Sequence, residues 1–151
     1  METHRVWDNK VEMMKNAKEK LRVIFDSNAF FTPLQFKIDI FEELKTLLKR
    51  NFEPILLPQV KRELEALMEK GGPKMRREAA YALKIAEKCK LVEVDVDGDP
   101  DDVILEVASR WRSPVFTNDK ALRKRLRDIN VPVIYVRQKS RLEIDGGYEI
   151  V

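Results

Sequence analysis

Apolar residues recur along this chain in two alternating periods. Residues 22–26, Ile55-Leu56-Leu57, Leu91-Val92-Glu93-Val94, Val115-Phe116-Thr117 and Val133-Ile134-Tyr135-Val136 are short β-rich runs bounded by polar or turn residues, and read as strands. Between them the spacing opens to that of a helix. Phe36, Ile40, Phe41, Leu44, Leu47 and Leu48 form one apolar stripe, ending near Arg50-Asn51. Val60, Leu64, Leu67 and Met68 form a second, opened by Pro58 and stopped by Gly71-Gly72-Pro73. Met75 to Lys88 reads as a helix with Ala79, Ala82, Leu83 and Ala86 inward. Asp99 as cap and Pro100 as first residue predict a helix through Val103, Ile104, Val107 and Trp111, and residues 120–128 predict another. Ahead of the first strand, Trp7, Val11, Met14 and Leu21 share one face of a helix from Val6 to Lys20.

Strand alternating with helix predicts the α/β class: a three-layer α/β/α arrangement around a mostly parallel, about five-stranded sheet, plus the N-terminal helix. A chain of 151 residues suits a single domain over 1–151, with 1–20 as a helical extension and 137–151 as a tail adding a hairpin or edge strand.

Two of the strands end in the same chemistry. Val23-Ile24-Phe25 runs into Asp26-Ser27-Asn28, and Val115-Phe116 into Thr117-Asn118-Asp119. In open α/β sheets ligands bind at the carboxyl ends of the strands. Glu63 lies in the second turn of its helix and Asp102 in the first turn of another; helices that follow strands start at that same edge. Each acid also has an ordinary reading: Asp26 as an Asx-turn acceptor, Glu63 as a solvated glutamate, Asp102 as a helix-dipole partner, and Asp119 likewise behind an Asn118 cap. Taken together, four carboxylates at one sheet edge are hard oxygen ligands of the kind Mg²⁺ or Mn²⁺ prefers, and without a cation they repel one another.

Composition narrows the chemistry. The single histidine, His4, excludes a Ser-His-Asp triad, a paired-histidine ribonuclease and a histidine zinc site. One cysteine, Cys89, excludes an intrachain disulfide framework and suits the cytoplasm. No apolar run reaches membrane-spanning length, and residues 1–20 lack the apolar core of a signal peptide. A charged fraction of 36% rich in Lys and Glu is a composition met in thermophiles, and a net charge of +3 permits nucleic-acid binding. Asp95, Asp97, Asp99 and Glu106 fall at acidic positions of an EF-hand loop, but Pro100 replaces the required glycine. A haloacid-dehalogenase phosphatase needs a second Asp where Asn28 stands, and the acid and lysine set of a receiver domain is missing.

The four acidic segments, in this order, resemble the PIN-domain nucleases: Asp26-Ser27-Asn28, Glu63-Leu64, Asp102-Val103-Ile104-Leu105 and Thr117-Asn118-Asp119. The likeness covers residues 22–136. Phe31 to Asp39 and Val136 to Leu142 are more similar to the archaeal branch akin to ribosomal-RNA processing PIN proteins than to typical VapC toxins. The resemblance implies a PIN-like fold and a metal-dependent endoribonuclease leaving 5′-phosphate and 3′-hydroxyl ends. Its catalytic residues would be Asp26, Glu63, Asp102 and Asp119. Asp26, Asp102 and Asp119 would hold one or two Mg²⁺ or Mn²⁺ ions, with Asn28, Thr117, Asn118 and Asp101 around them. It also implies RNA as partner, and a homodimer, an antitoxin or a ribosome-assembly factor as further partners. The alternative is a non-catalytic RNA-binding or assembly module on the same scaffold.

Lys120, Arg123, Lys124 and Arg127 fall at helical spacing directly after Asp119 and form a candidate RNA-binding stripe. Lys74, Arg76 and Arg77 form a second basic cluster. Phe30 and Phe31 are candidates for base stacking or for the core.

Overall fold

The computed structural model describes residues 20–147. His4, the last four residues and residues 6–19 of the expected N-terminal helix therefore lie outside the described part; Lys20 is not helical, and Leu21, read as sharing that helix face, instead opens β1. β1 (Leu21–Phe25) is followed by a single 3-10 turn (Ser27–Phe31), α1 (Thr32–Phe36), α2 (Ile40–Leu48), β2 (Phe52–Leu56), α3 (Pro58–Lys70) and α4 (Pro73–Ala86). Then come β3 (Lys90–Leu91), α5 (Pro100–Trp111), β4 (Val115–Phe116), α6 (Lys120–Asp128), β5 (Val133–Arg137) and β6 (Arg141–Asp145).

The strands form one sheet in the order β3-β2-β1-β4-β5-β6, with β6 alone antiparallel. β1 is the centre: Ile24 pairs with Ile55 of β2 on one side and with Val115 of β4 on the other. Its residues Val23, Ile24 and Phe25 are fully buried, as expected of a parallel strand covered on both faces. The Phe25 ring packs against Phe30, Phe41 and Phe116 with centroids 5.3, 5.9 and 5.3 Å away. Phe30 and Phe31 are both buried in this core, so base stacking is closed to them.

The chain leaves β1 toward β2 and later returns on the other side to β4. The strand order thus reverses between β1 and β4, and a crevice opens at their carboxyl ends. Asp26 and Thr117 are the residues that follow these two strands.

The structure departs from the sequence pattern in three places. The stripe from Phe36 to Leu48 is two helices, because Lys37 adopts a left-handed conformation and the Asp39 carboxylate caps α2 by accepting from the Glu42 N–H. Ile38, in the break, still enters the core. β2 starts earlier than the apolar run. Pro54 is tolerated there because β3 begins only opposite Ile55 and leaves β2 one-sided at that point. Of the run Leu91 to Val94 only Leu91 is in a strand, the two-residue β3, which is the sheet edge with β2 as its single neighbour. The tail expectation is met by β6, which pairs with β5 through a tight turn at residues 138–140.

Candidate active site

Asp26 is almost fully buried at the end of β1. Its Oδ1 accepts from the Ser27 N–H at 2.8 Å and so caps the 3-10 turn. Its Oδ2 accepts from the Thr117 hydroxyl at 2.7 Å and from the Asn28 amide at 3.0 Å. The Thr117 oxygen in turn accepts from the Asp119 N–H at 3.1 Å, and Asn28 Oδ1 accepts from the Asn118 N–H at 2.9 Å. The two strand ends are thereby locked together.

In the ordinary reading of this segment Asn118 caps α6. The structure gives that task to Asp119, whose Oδ1 accepts from the N–H groups of Ala121 and Leu122 at 2.9 and 3.2 Å. Asn118 instead reaches sideways: its amide donates to the Thr32 hydroxyl at 3.1 Å, and its Oδ1 accepts from the Val136 N–H at 2.9 Å. It thus braces β4 against α1 and β5.

The acids meet electrostatically. Burial pushes the Asp26 carboxyl above its ordinary pKa against the pull of its hydrogen bonds, and the charges of Glu63 and Asp119 push the same way. Burial also raises Asp101, helped by the charges of Asp26, Asp119 and Asp99. Glu63 stands half-buried in α3. That helix is tied toward α5 by Gln59, whose amide donates to the Val96 carbonyl at 3.0 Å.

Asp102 points elsewhere. It is exposed, and its Oδ1 receives Arg125 Nη2 at 2.8 Å. Of the adjacent acids at the start of α5, Asp101 is therefore the one drawn into the field of Asp26 and Asp119.

The basic stripe also divides. Lys120 and Lys124 are exposed and form no ion pair among the described residues. Arg123 lies over the Tyr135 ring, 4.2 Å from its centroid. Arg127 is held by the far end of the sheet, through the Val131 carbonyl at 3.3 Å and Asp145 at 3.4 Å. Of the second cluster, Arg76 donates to the Glu69 carbonyl at 3.0 Å, while all three cations are exposed. Sequence reasoning did not single out Thr32, Gln59, Arg125 or Tyr135.

The donor set suits a hard divalent cation in kind: oxygen only, with neighbouring acids adding to the raised pKa of Asp26 and Asp101. Among the described residues no three of these carboxylates already stand around a common point.

Residues 23–139 match the family described as PIN like domain. The chain belongs to the PIN domain family. It is 32% identical over 127 residues to "Ribonuclease VapC4" of Methanocaldococcus jannaschii, spanning 83% of this chain and 97% of that one. It is 29% identical over 131 residues to "Ribonuclease VapC9" of Archaeoglobus fulgidus, spanning 87% and 93%. Among solved structures it resembles the PIN domain endonuclease Utp24, with a TM-score of 0.70 and 30% identity over 82% of this chain and 90% of that one. It shares its fold with a chain of VapBC2 from Rickettsia felis, with a TM-score of 0.53 and 15% identity over 70% and 92%. No helix among the described residues is long and apolar enough to cross a membrane.

Proposed function

We propose that this chain is a divalent-metal-dependent endoribonuclease whose site lies between the carboxyl ends of β1 and β4. The observation that carries this is Asp26: a buried carboxylate, fixed by Thr117 and Asn28, in the electrostatic field of Glu63 and Asp119, and itself felt at Asp101. A fold has little reason to bury one acid among others unless a cation answers them. The ribonuclease names of the VapC relatives and the endonuclease likeness support RNA as substrate.

Asp26, Asp101 and Asp119 are the residues that would hold Mg²⁺ or Mn²⁺, one ion or two, with Glu63 beside them. Asp102 is the outer acid of the α5 pair. Bound there, the metal supplies Lewis acidity for activating water and neutralising phosphate charge. The protein's own groups do the rest. Thr117 and Asn28 fix the Asp26 carboxylate, the Asp119 carboxylate is oriented by its capping bonds, and Lys120 and Lys124 draw the phosphate chain to the site. The VapC relatives support an antitoxin-like protein partner; the Utp24 likeness supports a role in RNA processing.

The test is cleavage of a labelled single-stranded RNA with Mn²⁺, Mg²⁺ or EDTA by the wild type, Asp26→Asn and Asp101→Asn. Metal-dependent cutting that both substitutions abolish is the expected result. Cutting that persists in EDTA or in Asp26→Asn overturns the proposal. A folded wild type that binds RNA and cuts none of a broad substrate panel points to the non-catalytic binding module instead.

A further inference from the structure

We propose that Arg125 binds a phosphate of the RNA, and that Asp102 is its resting counter-ion while no RNA is present. This rests on the reading of the site as one that acts on RNA.

Arg125 is off the basic stripe, and its partner was counted among the acids of the site. The fold pairs them across α5 and α6, with Nη2 of Arg125 2.8 Å from Oδ1 of Asp102. The two side chains are 51% and 62% exposed. An ion pair this wet contributes little to stability, so it exchanges readily for another anion. A guanidinium is the side chain best matched to phosphate, because its planar fork donates two parallel hydrogen bonds.

Position gives the exchange its purpose. Asp101 adjoins Asp102 and is already in the field of Asp26 and Asp119, and the Arg125 charge is felt at Asp101 as well. The guanidinium thus hangs at the rim of the acidic site. On the same helix Lys120 and Lys124 are exposed. Asp102 and Arg125 also line a groove between α5 and α6 together with Glu106 and Asp128. Those acids repel a phosphate chain, so RNA reaches Arg125 along the exposed lysines of α6.

A strut that merely joins α5 to α6 makes the opposite prediction, and the two partners of the pair separate the cases. For a strut, losing either partner has the same effect. For a resting counter-ion, losing Arg125 weakens RNA binding, while losing Asp102 frees the guanidinium and strengthens it.

The experiment is fluorescence anisotropy of a labelled single-stranded RNA with the full chain in EDTA, at several salt concentrations. The proteins are the wild type, Arg125→Ala, Arg125→Lys, Asp102→Asn and the double variant Asp102→Asn/Arg125→Ala. Arg125→Ala is expected to weaken binding by about tenfold. It should also reduce the salt slope by about 0.7, the share of one phosphate contact on a single strand. Arg125→Lys keeps the slope and part of the affinity. Asp102→Asn binds more tightly than the wild type, and that gain disappears in the double variant. A wild-type slope in Arg125→Ala, no tightening in Asp102→Asn, or tightening that survives in the double variant each overturn the proposal. The readout is binding without metal, so failure of the cleavage reaction leaves this test intact.

Discussion

The Thr117 hydroxyl donates to Oδ2 of Asp26 at 2.7 Å, joining residues 91 positions apart. The same oxygen accepts from the Asp119 N–H and the Asn28 amide, and Thr117 is fully buried. One hydroxyl therefore sets the spacing of two acids that no local interaction could hold together. Thr117→Val keeps the shape and removes the bonds, leaving the Asp119 N–H without this partner and Asp26 Oδ2 with the Asn28 amide alone. It is expected to cost about 1–3 kcal/mol of stability and most of the cleavage rate. Thr117→Ser keeps the hydroxyl and loses one buried methyl, at about 1 kcal/mol, with the cleavage rate largely retained. Urea unfolding and RNA cleavage of both variants check this. Equal loss of activity in the two would mean that packing rather than the hydroxyl matters.

Asp26 makes the metal-free fold sensitive to pH. In the unfolded chain this carboxyl titrates at its ordinary 3.8; in the folded protein burial and the neighbouring acids hold it higher. The neutral carboxyl therefore stabilises the fold fully below the unfolded value. That contribution is lost as pH rises through the raised folded value. Asp26→Asn is uncharged at every pH. In EDTA its melting temperature should exceed that of the wild type at neutral pH, and the two should converge toward pH 4. Mn²⁺ should raise the melting temperature of the wild type and leave Asp26→Asn unmoved. A variant less stable than the wild type at neutral pH would refute the electrostatic account.

Asp101 and Asp102 are neighbours with different surroundings, and the difference predicts different phenotypes. Asp101 feels Asp26 and Asp119, whereas Asp102 is held on the exposed side by Arg125. Removing a metal-holding carboxylate typically costs a hundredfold or more in rate, by roughly the 3 kcal/mol or so that a metal's charge supplies at the phosphate. Asp101→Asn should lose at least that in kcat. Asp102→Asn should stay within about tenfold of the wild type. The reverse order in single-turnover cleavage would return the metal site to Asp102.

Much of this was legible in the sequence because the sheet is buried on both sides. The runs Val23-Ile24-Phe25 of β1 and Val115-Phe116 of β4 are unbroken and apolar, and each stops where a polar residue enters the site. The helix phase of α5 also carried information: Ile104 and Ala108 are buried, and counting back three and seven residues reaches Asp101, not Asp102. Asp102 falls in step with Leu105, Glu106 and Ser109 on the outer side. The cap of α6 was not legible, because Asn118 and Asp119 are both good caps and tertiary bonds from Thr32 and Val136 decide between them. The same holds for Arg125 and Tyr135, whose roles depend on which elements the fold sets side by side.

The four cations of the α6 stripe look equivalent by spacing, yet the structure gives them separate work. Arg127 reaches the Val131 carbonyl and Asp145, so it ties the end of α6 to the sheet. Arg123 covers the Tyr135 ring. Only Lys120 and Lys124 among the four are exposed to an approaching phosphate. Lys120→Glu/Lys124→Glu should therefore weaken binding of single-stranded RNA and flatten its salt dependence, with little change in melting temperature. Arg127→Ala should do the reverse: about 1–3 kcal/mol of stability lost and a salt slope close to that of the wild type. Arg123→Ala should lie between, losing about 0.5–2 kcal/mol of stacking on the ring and part of the slope. Anisotropy titrations paired with thermal melts separate the three. If Arg127→Ala flattens the salt slope as much as the lysine pair does, the whole stripe binds RNA and its contacts to the sheet give way when RNA arrives.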